Sequence, residues 1–179
     1  AMQRVNFLAK EYRLEPVRNE EMIGICDPEG ERPAYSTSDK NSPDKWVATI
    51  KNTGNENIQF IPVDKNIVYY RDDGQKESSC DGMILYNDDS SICFVELKDV
   101  RTSGWISDAI DQLKETIKVF NKNHDYHNFS DRTAYAANCC HPNFQTSCRE
   151  RLQEFRSQTH FRLAPQATIE IKSFGNSII

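Results

Sequence analysis

A chain of 179 residues with 37% apolar residues and a mean hydropathy of −0.71 has material for one ordinary core, and residues 1–179 are read as a single domain. No apolar run approaches the ~18 residues of a membrane span and no basic-apolar-small leader opens the chain. A soluble, cytoplasmic protein with no membrane partner is therefore expected, with Ala1 ahead of Met2 read as a leftover of cloning. The net charge of −5 argues against nucleic-acid binding by bulk attraction, but it is uneven: residues 1–112 hold 13 Lys/Arg against 21 Asp/Glu, net −8, and residues 113–179 are net +3.

In chain order, Val5, Leu8, Ala9 and Tyr12 fall at helical spacing, which predicts a helix over residues 3–14 ended by Pro16. Residues 22–26 are a short apolar strand. Residues 27–45, rich in Asp, Glu, Pro, Ser and Lys, read as a flexible loop. Residues 46–52 and 58–63 are strands joined by a turn at Asn52-Thr53-Gly54-Asn55, and residues 67–70 form another apolar run before the polar turn Asp72-Asp73-Gly74. Further on, Ile106, Ala109, Ile110, Leu113, Ile117 and Phe120 make a helical stripe with Ser103 as candidate N-cap and Gln112 at the border of the stripe. Residues 134–140 read as a buried strand, residues 145–157 as a basic helix and residues 168–171 as a last strand. The order argues for an α/β fold, a mixed central sheet flanked by helices.

The densest signal lies between these groups. Cys80-Asp81-Gly82-Met83-Ile84-Leu85-Tyr86 and Ser91-Ile92-Cys93-Phe94-Val95-Glu96-Leu97-Lys98 are two β-rich runs joined by the polar turn Asn87-Asp88-Asp89-Ser90, a hairpin pattern. If Tyr86 pairs with Ser91, counting outward sets Asp81 opposite Glu96, and Lys98 shares the face of Glu96. Like charges directly opposite on paired strands repel. A divalent cation between the two carboxylates is the simplest reason to hold them there, and Mg²⁺ is commonly held by one or two carboxylates together with waters and phosphate oxygens.

Asp81 followed by Glu96-Leu97-Lys98 at the end of an apolar strand, with Gln112-Leu113-Lys114-Glu115-Thr116 downstream, resembles the PD-(D/E)XK nucleases of the restriction-endonuclease-like superfamily. The resemblance covers about residues 78–120. Cys80 stands where the signature has Pro, and Thr116 stands where branches related to the RecB nuclease often have Tyr. The resemblance implies a restriction-endonuclease-like fold and Mg²⁺-dependent hydrolysis of a nucleic-acid phosphodiester, DNA before RNA, with Mn²⁺ as a substitute ion. Asp81, Glu96 and the carbonyl of Leu97 would hold the metal, Lys98 would handle the attacking water, and Gln112 would assist. It also implies a further acid from the first helix, for which Glu11, Glu20 and Glu21 are candidates.

Arg149, Arg151, Arg156 and Arg162 could form a basic face for phosphate contacts, with Arg149, Arg156 and Arg162 the nearest candidates, or simply a solvated helix surface. Cys139-Cys140-His141 with Cys148 has zinc-ligand residue types but no paired C-x-x-C knuckle, so buried cysteines beside a turn are expected, all six as free thiols without zinc. His124 and His127 are read as loop residues, and Trp46 and Trp105 as core or interface. The rival readings are a non-catalytic module on the same fold that binds nucleic acid or protein, and an immunity or accessory subunit. Assembly as a homodimer or with a partner protein stays open.

Overall fold

The computed structural model describes residues 4–141 and 149–173. It is a mixed α/β fold with two helices, three short 3₁₀ turns and nine strands among these residues. The larger sheet has five strands in the order β4-β5-β6-β7-β8: β4 (Ile58–Pro62), β5 (Gly82–Tyr86), β6 (Ser91–Lys98), β7 (Asp131–Asn138) and β8 (Arg162–Ala164). The β4-β5-β6 pairs are antiparallel, whereas β6-β7 and β7-β8 are parallel. The parallel pairs follow from the crossovers, because α1 (Trp105–Asn123) returns the chain from β6 to β7 and α2 (Arg149–Thr159) lies between β7 and β8. A second sheet has the order β2-β1-β3-β9, with β1 Met22–Cys26, β2 Tyr35–Thr37, β3 Ala48–Lys51 and β9 Thr168–Glu170.

Alternation along β5 and β6 sorts the core into two halves. Met83, Leu85, Ile92 and Phe94 pack with Ala109, Leu113, Ile117 and Phe120 of α1 and Phe155 of α2. Ile84, Cys93 and Val95 point the other way and pack with Ile23, Ile25, Ala48, Ile50 and Ile169 of the second sheet. Helices flank the large sheet, as the element order suggested, but on one face only. Both helices cover one face and the small sheet covers the other, so both faces of β5 and β6 read as continuous apolar runs. Each fully buried side chain of this size contributes about 1.5–3 kcal/mol.

The hairpin register is the one read from the turn: Tyr86 pairs with Ser91 and Gly82 with Val95. Asn87, Asp88 and Asp89 all take positive φ, at 53°, 51° and 61°. Asn and Asp are the non-glycine residues that visit this region most readily. Gly82 is required for a different reason. A Cβ there would lie 2.4 Å from the Phe60 ring on β4, so the strand that presents Asp81 packs closely only without a side chain.

Several expectations are corrected. Residues 3–14 form no α-helix within the described part, only the 3₁₀ turn Lys10–Tyr12. Val5 and Phe7 are both buried, a period of two, and their N–H groups donate to Asn123 Oδ1 and His124 Nε2 at 3.0 and 3.1 Å. The segment is pinned to the end of α1. The region 27–45 contains β2, whose Ser36 is buried and held by Glu15 and Arg18. The strands around residue 50 and residue 60 do not pair. They enter different sheets across a turn in which buried Asn52 donates to the carbonyls of Glu20 and Glu56. The apolar run 67–70 makes a single bridge, from Tyr70 to Lys76. The strand after the second helix is β8, and β9 joins the small sheet. Gly104, not Ser103, precedes α1, and no side chain caps it. The expected helix 145–157 begins, among the described residues, at Arg149.

Candidate active site

Asp81 lies one residue before β5, so the hairpin register carries it opposite Glu96. Its position is fixed by backbone on both sides. The Val63 N–H donates to the Asp81 carbonyl at 2.9 Å, and the Leu97 N–H donates to Asp81 Oδ2 at 2.7 Å. Glu96 is buried, 4% exposed, and its carboxyl is held well above the usual carboxylate range. Burial is the main cause, followed by a hydrogen bond to Asp81 and the repulsion of its charge; Lys98 and the Leu97 backbone oppose these and lose. A buried carboxyl that can keep its charge only if something positive joins it fits a divalent cation. Leu97 itself turns its side chain into the core between the sheets.

Glu96 and Lys98 have the parity of Phe94, and Asp81 that of Met83, so all three project toward the helical face. There α1 meets them. Thr116 Oγ1 accepts from the buried Cys80 N–H at 2.7 Å and donates to the Gln112 carbonyl at 3.0 Å. One turn earlier, Gln112 Oε1 accepts from Ser78 Oγ. Two side chains on one stripe of α1 thus fasten the segment that presents Asp81. Lys98 and Gln112 line one cleft of about 380 Å³ with Arg71, Glu77, Asp108 and Asp111. The structure brings Asp81, Glu96, Lys98 and Gln112 to the same end of the large sheet.

Asp27, an acid the sequence reading did not single out, lies within electrostatic reach of Asp81. It follows β1 directly, and its carboxyl is pushed up to about 6, first by partial loss of water and next by Asp81; Asp64 adds, while Lys65 and Lys98 oppose. Asp27 is exposed to solvent, so the energetic weight of this shift is small. Glu20 and Glu21 precede β1 and lie at its other end, roughly 20 Å away at about 3.3 Å per residue. Glu11 is exposed in the 3₁₀ turn next to Arg13, which pairs with Asp89 at the far end of the hairpin. The available signal for Asp27 was an acid at the end of an apolar strand; Asp81 precedes its strand and Glu96 lies within the last residues of its own.

The basic candidates divide. Arg151 donates to Ser107 at the start of α1, which sets the first turn of α2, with Arg149, at the site's end of the molecule. Arg156 is two turns on, about 10 Å away. It lines a polar pocket of about 200 Å³ with Arg162, Arg132 and His160. Arg162 pairs with Thr133, which pairs with Cys93, so this pocket lies several residues back along the strands from Glu96.

Cys26, Cys80, Cys93, Cys139 and Cys140 are free thiols; Cys148 lies outside the described residues. Cys139 and Cys140 follow β7 and are half-buried, not inside the strand. With Asp99 they form the one group of three or more ligand-type side chains, among the described residues, whose donor atoms all lie within 4.8 Å of one another. Spacing along the chain concealed this, because Asp99 comes from the neighbouring strand. His127 bonds Asp125 at 2.8 Å, and His124 stacks on Phe120, so the two histidines do not share a site. Trp105 is buried and Trp46 covers Gly24, both structural positions.

Comparison with known proteins finds no matching family model, no similar curated protein and no similar solved structure. No helix among the described residues is long and apolar enough to cross a membrane.

Proposed function

We propose that the protein is a PD-(D/E)XK-type nuclease with a restriction-endonuclease-like fold, hydrolysing a nucleic-acid phosphodiester with Mg²⁺, DNA before RNA. The observation that carries this reading is the convergence of buried Glu96 and backbone-anchored Asp81 at one spot, with Lys98 on the same face. The antiparallel β4-β5-β6 unit followed by a helix and a parallel strand also supports it. Asp81 and Glu96 would hold the ion, with the Leu97 carbonyl as a further ligand and Asp27 near enough to add negative charge. When bound, the ion neutralises charge on the phosphate and makes a water more acidic. Lys98 orients the attacking water and stabilises the negative charge that develops as the P–O bond breaks. Gln112, fixed on α1 by packing and by Ser78, holds the water or the Lys98 ammonium in line.

One observation favours a second reading, a non-catalytic module that meets a protein partner. The cleft beside Lys98 is rich in carboxylates, with Glu77, Asp108, Asp111 and Glu115 against Arg71 and Lys98, and such a surface repels a phosphate backbone wherever no metal intervenes. A cleavage assay on single- and double-stranded DNA and RNA with Mg²⁺ or Mn²⁺ separates the two. Wild type should cleave at least one substrate, and Lys98→Ala, still folded, should cleave none. Calorimetry should show Mn²⁺ binding that Asp81→Asn loses. Equal Mn²⁺ affinity in both proteins, or cleavage by Lys98→Ala at the wild-type rate, would overturn the nuclease reading.

A further inference from the structure

We propose that Asp99, Cys139 and Cys140 form a binding site for a thiophilic divalent cation of the Zn²⁺ class, separate from the Asp81–Glu96 pair. Because β6 and β7 run parallel with Lys98 beside Asn138, the two residues that follow β7 emerge next to the residue that follows β6. The turn is organised from within by Asn138, which is fully buried. Asn138 Nδ2 donates to the Val100 carbonyl at 2.8 Å, locking the exit of β6 to the exit of β7. Asn138 Oδ1 accepts from the Cys140 N–H at 3.0 Å, and the Asn138 carbonyl accepts from the His141 N–H at 2.9 Å. This tight turn lets two adjacent cysteines present both sulfurs to one place. Cys140 Sγ lies 3.3 Å from Asp99 Oδ1, Cys139 Sγ lies 3.8 Å from the Lys98 carbonyl, and all three donor atoms fall within 4.8 Å of one another.

The donor set decides the class of ion. Two sulfurs and one carboxylate suit Zn²⁺, Co²⁺ or Cd²⁺ and do not suit Mg²⁺, which takes oxygen ligands in near-ideal octahedral geometry. Among the described residues there are three protein ligands, Asp99 exposed and both cysteines half-buried, so a fourth ligand is needed to complete a tetrahedral zinc site. Binding expels the two thiol protons to solvent as the sulfurs ligate as thiolates, and no redox change is involved.

The site stands apart from the nuclease reading and is tested by a signal that does not depend on cleavage. Reduced, metal-free protein is titrated with Co²⁺ in buffer containing excess Mg²⁺. One equivalent should bind and produce a thiolate-to-cobalt charge-transfer absorption, which added Zn²⁺ displaces. Cys139→Ser and Cys140→Ser should each lose that band. Asp99→Asn, a substitution at an exposed position that leaves the fold unaffected, should weaken Co²⁺ binding about tenfold or more. Absence of a thiolate band in wild type, or a band of full strength in either serine variant, would overturn the assignment.

Discussion

Glu96 is a side chain whose charge the fold resists, and the consequence can be signed. Its folded-state pKa stands above that of the unfolded chain, about 4.3, so the folded protein binds the proton more tightly. Below the unfolded value both states are protonated and nothing is lost. As pH rises from there toward the raised folded value, the unfolded chain ionises first and stability falls by up to about 1.4 kcal/mol per pH unit. Asp27, pushed up to about 6, adds a smaller loss of the same sign between about pH 4 and 6. Urea unfolding in EDTA should therefore find wild type less stable at pH 8 than at pH 5 and Glu96→Gln with a flatter dependence, while Mn²⁺ raises the midpoint of wild type alone. Parallel pH curves for the two proteins would remove Glu96 as the strained group. Asp81 and Glu96 were legible in sequence because a period of two and a four-residue turn fix a register with few alternatives. Asp27 was not, because its neighbours come from another sheet.

At the scale of elements, α1 acts as a brace for the strand that presents Asp81. Thr116 is fully buried and its hydroxyl is the partner of the Cys80 N–H. Thr116→Val, close in shape, should leave that N–H unsatisfied and cost about 1–3 kcal/mol. It should also weaken Mn²⁺ binding, since Asp81 is the next residue. Thr116→Ser keeps the hydroxyl and should keep the Mn²⁺ affinity, so denaturation and calorimetry on the pair isolate the hydrogen bond from the loss of a methyl group. The stripe of α1 was readable as a long apolar period, and so was the placement of Gln112 at its border. The N-terminal segment misled for a physical reason. Val5, Leu8 and Tyr12 satisfy a helical spacing on paper, but Val5 and Phe7 gain more by burial in extended form, with their N–H groups satisfied by Asn123 and His124.

At the scale of the whole molecule, Arg132, Arg156 and Arg162 gather in one pocket away from the carboxylate cluster. If a nucleic acid reaches both, Arg156→Ala and Arg162→Ala should each weaken binding in metal-free buffer and lower the salt slope by about one unit. The cleavage rate at saturating substrate should hardly change, unlike that of Lys98→Ala. A binding titration against salt checks this, and unchanged slopes in both variants would place the substrate path elsewhere. The two-sheet arrangement was the least legible part of the fold, because the parallel contact of Thr49 with Thr168 joins segments that no local pattern connects. That contact has a consequence during synthesis. The hairpin is complete once Lys98 has left the ribosome, yet the sheet that covers its second face is closed only when Thr168–Glu170 follows, roughly 4–14 s later at ordinary elongation rates. Over that interval the nascent chain exposes Ile84, Cys93 and Val95 without the finished layer that later covers them. The sheet pairing thus sets a delay between making the hairpin and burying it, the period in which the emerging polypeptide most needs a chaperone.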